Sequence, residues 1–156
     1  MGAWEVQADP SKPDNHIMRQ VSPVWPACWG YACTGPMTYF GPKAFNASGP
    51  KGFTISLDVK LEKDAVFGIG GSTGGKGGFV GLRLDSTKQA GFTVGQFHKV
   101  TVTLKPGSMS ATLDGKPVNG QPDEVREGGG IKDGFYIEMS LDRYVMADVD
   151  NFQLTV

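Results

Sequence analysis

The sequence predicts an all-β protein, a jelly-roll β-sandwich of two antiparallel sheets. Short segments alternate between apolar and polar residues with a period of two, and helical periodicity is essentially absent. The chain also contains 23 glycines and 10 prolines, which separate these segments as turns do in sandwich folds. Because 156 residues suit one core, we expect a single domain over positions 1–156.

The clearest predicted strand covers 53–61, where five apolar residues alternate with Thr, Ser, Asp and Lys. One face of this strand should lie in the core and the other in water. In chain order, further strands are predicted at 4–7, 16–21, 37–40, 65–70, 79–84, 97–104, 109–113, 135–139 and 148–156. Asp114-Gly115 predicts a tight turn after the strand that ends at Leu113.

Composition and charge exclude several classes of protein. The chain is 39% hydrophobic and 20% charged with a net charge of −1, and no basic stripe favours nucleic acid or an anionic membrane as a partner. No apolar stretch approaches the roughly 18 to 20 residues of a transmembrane segment, and the first residues do not resemble a signal peptide. Since strand signals begin at Trp4, we interpret the chain as a piece excised from a larger protein.

The sequence offers no convincing catalytic pair. A glycosidase needs two carboxylates beside one cleft, and Glu138 and Asp142 are the only crowded candidates. We place Asp142 in a turn and interpret both acids as exposed charges. His16 and His98 lie on strands without a nucleophile nearby, which indicates structural or surface roles. We therefore predict no catalytic residue.

Aromatic side chains crowd into a proline-rich stretch near the first third of the chain. Sugars bind proteins by stacking their C–H faces on aromatic rings, so this stretch predicts a sugar-binding site. The alternative is that the rings close one end of the sandwich. The candidate sugar-binding residues are Trp25, Trp29, Tyr31 and Tyr39.

Two cysteines, Cys28 and Cys33, lie within the same stretch, with Gly30 between them. Their spacing permits a small-loop disulfide, and two reduced thiols are the alternative. With no further Cys or His beside them, a zinc site is not predicted.

The last strand carries a carboxylate on its apolar side, because Asp150 has the same parity as Phe152 and Leu154. A buried carboxylate needs a partner, and Ca²⁺ accepts such oxygen ligands. Glu5 would supply a second carboxylate if the terminal strands pair. The alternatives are that Asp150 caps backbone N–H groups or forms a salt bridge with Arg19 or Arg143.

Five segments of the chain are similar to a known family, and they cover 2–6, 16–21, 23–25, 53–62 and 150–152. In this order they resemble the C-terminal lectin-like domain of galactosylceramidases, which belongs to the concanavalin-like and laminin-G-like sandwiches. The similarity is weak over 85–134. The resemblance implies a jelly-roll sandwich with a structural calcium, which would place Asp150 and Glu5 at the ion. It also implies that the catalytic carboxylates lie in a separate barrel domain.

These observations predict a non-catalytic, lectin-like module that binds carbohydrate and is normally appended to a glycoside hydrolase. Its expected partners are a glycan or glycolipid headgroup and the neighbouring catalytic domain, and its parent protein would be secreted or lysosomal. The alternative is a structural or interaction sandwich that packs on a catalytic domain and binds no sugar itself. A small hydrolase acting alone is a third hypothesis, weakened by the missing acid pair.

Overall fold

The computed structural model describes residues 3–22, 37–40, 52–72, 79–105, 108–118, 136–142 and 146–155. Within these ranges the chain forms eleven strands, and every strand predicted from the sequence overlaps one of them. The strands are β1 (Ala3–Asp9), β2 (Lys12–Ser22), β3 (Met37–Phe40), β4 (Phe53–Leu61), β5 (Val66–Ser72), β6 (Phe79–Asp85), β7 (Phe97–Lys105), β8 (Ser108–Leu113), β9 (Lys116–Pro117), β10 (Tyr136–Asp142) and β11 (Ala147–Thr155).

The strands form two sheets, and all neighbouring strands within each sheet are antiparallel. The larger sheet has the order β1-β2-β11-β4-β7-β8-β9, and the smaller has the order β3-β10-β5-β6. Buried residues of both sheets belong to one hydrophobic cluster, so the sheets pack face to face. The predicted all-β sandwich is confirmed. In the described ranges, no helix has the length and apolar character needed to span a membrane.

Strand β4 shows why this sequence forms a sandwich. Its burial alternates residue by residue, with Ile55, Leu57 and Val59 buried between the sheets and the polar residues between them only partly buried. In the smaller sheet, Phe67 and Ile69 of β5 are fully buried and belong to the same hydrophobic cluster. Each such side chain contributes roughly 1.5 to 3 kcal/mol by leaving water.

The predicted tight turn between β8 and β9 is also present. Asp114 and Gly115 are its two central residues, with φ values of 50° and 76°. Two consecutive positive φ values define the turn that matches the twist of an antiparallel hairpin, and Asp and Gly both tolerate them.

The last strand departs from simple alternation. The pairing of β11 with β4 shifts register between Asp150 and Gln153, and Asn151 has a φ of 51°. Before this bulge Val149 lies opposite a core residue of β4, and after it Leu154 does. Asp150 instead lies opposite Asp58 on the outer face and is partly buried. The expectation that Asp150 points into the core was wrong, because the bulge reverses the parity on which it rested.

The terminal strands do not pair with each other, contrary to the premise for a shared Glu5 and Asp150 site. Strand β2 lies between β1 and β11, with Arg19 opposite Glu5 on one side and opposite Asp148 on the other. Glu5 is exposed and accepts a hydrogen bond from Gln7 at 3.1 Å.

Candidate functional site

The last strand contains a buried carboxylate with cationic partners, as expected, but this carboxylate belongs to Asp148 and not to Asp150. Asp148 is 3% exposed and accepts two hydrogen bonds from Arg19, Nε at 2.6 Å and Nη2 at 2.8 Å. The ammonium of Lys60 lies 2.6 Å from the second carboxylate oxygen. Arg19, Asp148 and Lys60, which we call the charged triad, join the adjacent strands β2, β11 and β4 on the outer face of the larger sheet.

Contacts within the triad shift the pKa values of Asp148 and Arg19 in opposite directions. Burial raises the pKa of Asp148, but hydrogen bonds from Arg19 and Lys60 outweigh burial and hold that pKa below its usual value of 3.8. The hydrogen bond to Asp148 in turn raises the pKa of Arg19 above its usual value. Asp148 is therefore an anion and Arg19 a cation at neutral pH, and the same carboxylate holds the Lys60 side chain in place.

The triad lines a cleft of about 370 Å³, which we call the charged cleft. Glu62 adds a second carboxylate to its wall. The backbone N–H of Met146 donates to Glu62 Oε2 at 3.1 Å, and the backbone N–H of Glu62 donates to the Met146 carbonyl at 3.2 Å. These two bonds fix the rim, and Leu61, Gly95 and Ala147 complete the lining.

An aromatic ring lies beside the charged cleft. Phe97 pairs with Lys60 across β7 and β4, and the Lys60 Nζ lies 5.0 Å from the centre of its ring. Phe97 remains 36% exposed, which makes it one of three large hydrophobic residues exposed in the described ranges. The site therefore combines an accessible ring with fixed hydrogen-bond donors and acceptors.

A second polar cluster surrounds His98, which is 7% exposed. Its Nδ1 lies 2.7 Å from Asp114 Oδ2, and its Nε2 accepts a hydrogen bond from the backbone N–H of Thr93 at 2.9 Å. Asp114 also accepts a hydrogen bond from the Lys99 N–H at 2.9 Å, and the bond to His98 is the main reason why its pKa is lowered. Both nitrogens of His98 are thus engaged, so the imidazole ties a loop to a turn and has no nitrogen free for general-base chemistry.

The predicted calcium ligands are not brought together. Asp150 accepts hydrogen bonds from Asn15 Nδ2 at 2.7 Å and from the Asn151 backbone N–H at 2.7 Å, so each of its oxygens already has a donor. In the described parts of the chain, no group of three or more His, Cys, Asp or Glu side chains could hold a metal. Glu5 and Asp150 do not fit a shared ion, and calcium binding stays a prediction.

Five further predicted site residues lie outside the described residues. They are the aromatic residues Trp25, Trp29 and Tyr31 and the cysteines Cys28 and Cys33.

Only the backbone of Tyr39 is described; it belongs to β3 and pairs with Glu138 of β10. Asp142 was expected in a turn and is instead the last residue of β10, opposite Val66. At about 3.3 Å per residue, the backbones of Glu138 and Asp142 lie roughly 13 Å apart.

Sequence reasoning missed the charged cleft entirely. The sequence did contain a signal that Asp148 needs a cationic partner. Asp148 lies beside Val149 in one predicted strand, and Arg19 lies in another predicted strand. Lys60 was counted only as part of the polar face of its strand, and Phe97 only as the start of another. No local pattern shows that these residues meet.

Comparisons with known proteins give a fold and no family. No family model matches the chain, and no curated protein matches it. Among solved structures, a Trypanosoma rangeli sialidase in complex with sialic acid aligns with 67% of this chain at 19% identity and a TM-score of 0.50. The same enzyme in complex with 2,3-difluorosialic acid aligns with 88% of this chain at 17% identity and a TM-score of 0.51.

The two alignments cover 20% and 27% of the sialidase chains. This chain thus spans about a quarter of their length or less. At this identity the likeness concerns the fold, and it does not single out galactosylceramidases. The chain shares its β-fold with part of that sialidase.

Proposed function

We propose that this chain is a non-catalytic, lectin-like module that binds a glycan in the charged cleft. The observation that carries the proposal is the placement of an accessible aromatic ring, Phe97, beside fixed charged donors and acceptors. Sugar-binding sites use this combination, because a ring packs against C–H groups while polar side chains bond the hydroxyls.

The charges of the cleft favour an uncharged sugar. Arg19 and Lys60 contribute two positive charges, while Asp148 and Glu62 contribute two negative ones. Their sum is zero, so neither an anionic nor a cationic ligand gains a net attraction. A hydroxyl group both donates and accepts, and it can bond a cation and a carboxylate of this cleft at once.

The size of the cleft fits a small ligand. Its volume of about 370 Å³ lies at the lower end of the roughly 300 to 1,000 Å³ typical of small-molecule sites. We expect one terminal sugar unit of a glycan or glycolipid headgroup to enter it. Trp25, Trp29, Tyr31 and Tyr39 remain part of the proposal as further stacking residues.

The finer features of the proposal come from the sequence resemblance. They are a parent glycoside hydrolase of the galactosylceramidase type, a neighbouring catalytic domain and a secreted or lysosomal location. The absence of catalysis in the isolated chain is part of the same proposal, because the sequence offers no convincing pair of carboxylates beside one cleft.

A glycan array probed with the intact chain tests the function. We expect specific retention on a neutral glycan, reduced about tenfold in Phe97→Ala, which corresponds to a loss of about 1.4 kcal/mol. Val94→Ala is the matched control, since Val94 is 41% exposed in the preceding turn and lies outside the cleft. Thermal unfolding of each variant verifies that it is folded.

The outcomes separate the hypotheses. Retention that is lost in Trp29→Ala and unchanged in Phe97→Ala would move the site to the predicted aromatic stretch. Retention of no glycan at any concentration would reject the function and leave the structural or interaction domain. Turnover of a glycoside by the isolated chain would contradict the non-catalytic assignment.

Calcium is tested separately, by thermal unfolding with EDTA and with added Ca²⁺. An ion at 100 times its Kd stabilises the folded state by about 2.7 kcal/mol, which raises the Tm by about 5 to 10 °C. If Asp150 is a ligand, Asp150→Asn removes this shift. An unchanged Tm in both conditions would end the calcium prediction.

A further inference from the structure

The two edges of the larger sheet are protected very differently. At one edge lies β9, which has only two residues, one of them Pro117. At the other edge lies β1, with seven residues and neither proline nor lysine. Short strands, proline and lysine are the usual features that prevent edge strands from pairing with other chains. Among the described strands of this sheet, β1 is the long edge that lacks them.

The middle of β1 is regular and accessible. Its pairing with β2 is continuous from Trp4 to Ala8, and the register shifts lie outside this segment. Val6, at its centre, is 72% exposed, the largest value among the exposed large hydrophobic residues of the described ranges. Glu5 and Ala8 are exposed as well. A regular backbone edge with an exposed apolar residue at its centre can accept another strand.

We propose that β1 pairs antiparallel with β1 of a second copy of this chain, across a two-fold axis at Val6. A two-fold axis perpendicular to the sheet pairs residues of equal parity, so it must pass midway between one residue and the same residue of the other copy. With the axis at Val6, Glu5 of one copy lies opposite Gln7 of the other, and Trp4 lies opposite Ala8.

Charge selects this register over its neighbours. An axis at Glu5 would place the two Glu5 side chains directly opposite each other. An axis at Gln7 would place Glu5 opposite Asp9. Like charges in directly opposed positions destabilise a pair of strands. The axis at Val6 avoids both clashes and pairs a carboxylate with an amide, as Glu5 and Gln7 already do within one chain at 3.1 Å.

The resulting dimer would extend the seven-stranded sheet into a continuous sheet of fourteen strands. Its contact consists of only five residues from each copy, so we expect a weak dimer that dissociates on dilution. This inference does not rest on the proposed function, because no residue of the charged cleft takes part.

Cysteine cross-linking tests the axis directly. Opposed residues of antiparallel strands have Cα atoms about 4.5 to 5.5 Å apart, which lies within the disulfide range. Val6→Cys should therefore form a covalent dimer under mild oxidation, and peptide mass spectrometry should locate the disulfide between the substituted positions of the two copies. Val94→Cys is the matched control on an exposed turn, and the unmodified chain reports any linkage through its own cysteines. Equal cross-linking of both variants, or none in Val6→Cys, would overturn the proposal.

Charge substitutions at Gln7 provide a second test by analytical ultracentrifugation. Gln7→Lys places a cation opposite Glu5 of the other copy and should tighten the dimer about threefold or more, whereas Gln7→Glu should weaken it by a similar factor. A strictly monomeric unmodified chain would overturn the proposed dimer. Equal effects of the two variants would overturn its register, because Gln7 would then not lie opposite Glu5.

Discussion

Asp148→Asn is the substitution with the largest expected effect in the charged triad. It removes the anion between Arg19 and Lys60 and keeps the size of the side chain. Breaking a buried ion pair from one side costs about 3 to 5 kcal/mol. The side chains of Arg19 and Lys60 are 22% and 27% exposed, so water screens part of the charge left behind, and the new amide oxygen still accepts one hydrogen bond. We therefore expect a loss of about 2 to 3 kcal/mol.

Urea and thermal unfolding measure this loss. For a chain of this length it corresponds to a fall in Tm of about 4 to 12 °C. Asp14→Asn is the matched control, because Asp14 is an exposed carboxylate on β2 and its replacement should change the Tm very little. A double-mutant cycle with Lys60→Met isolates the coupling between the two groups. A Tm of Asp148→Asn within about 2 °C of the unsubstituted chain would refute the buried pair.

Two further predictions concern a glycine and the acid limit of stability. In Gly52→Ala, at a φ of 73°, the new Cβ would clash with the Leu104 carbonyl oxygen, so we expect the free energy of unfolding to fall by about 3 kcal/mol or more. Gly95→Ala, at a φ of 79° with open space around it, should lose only about 1 kcal/mol, and equal Tm values for the two variants would contradict the clash. Hydrogen bonds from Thr87, chiefly from its hydroxyl, lower the pKa of Asp85 to about 2. The stability that these bonds contribute should therefore be fully present above about pH 4 and be lost as the pH falls towards 2. If the Tm of Thr87→Val falls with pH as steeply as that of the unsubstituted chain, this assignment is contradicted.

The strands were predictable because their signals are local. In β4 the alternation of apolar and polar residues gave both limits of the strand and its buried face, and Asp114-Gly115 gave the turn. The bulge in β11 was not predictable from alternation, since one inserted residue exchanges the two faces. Asn151 was its only local sign, because asparagine tolerates a positive φ.

The candidate site was less predictable because its members are distant in sequence. Arg19 and Asp148 are 129 residues apart, and they meet only because β11 lies between β2 and β4. A carboxylate in need of a partner was expected in the last strand, but it was assigned to Asp150 in place of Asp148. The choice between them depends on strand order, which a single sequence does not encode in any short segment.

The central position of β11 has a consequence for folding during synthesis. Strand β11 is the last described strand to leave the ribosome, yet it lies between β2 and β4 in the larger sheet. Until residues 147–155 emerge, the facing edges of β2 and β4 have no partner between them and remain open to other chains. The sheet therefore closes only after synthesis has passed this point, and folding is expected to be slow and sensitive to truncation within β11.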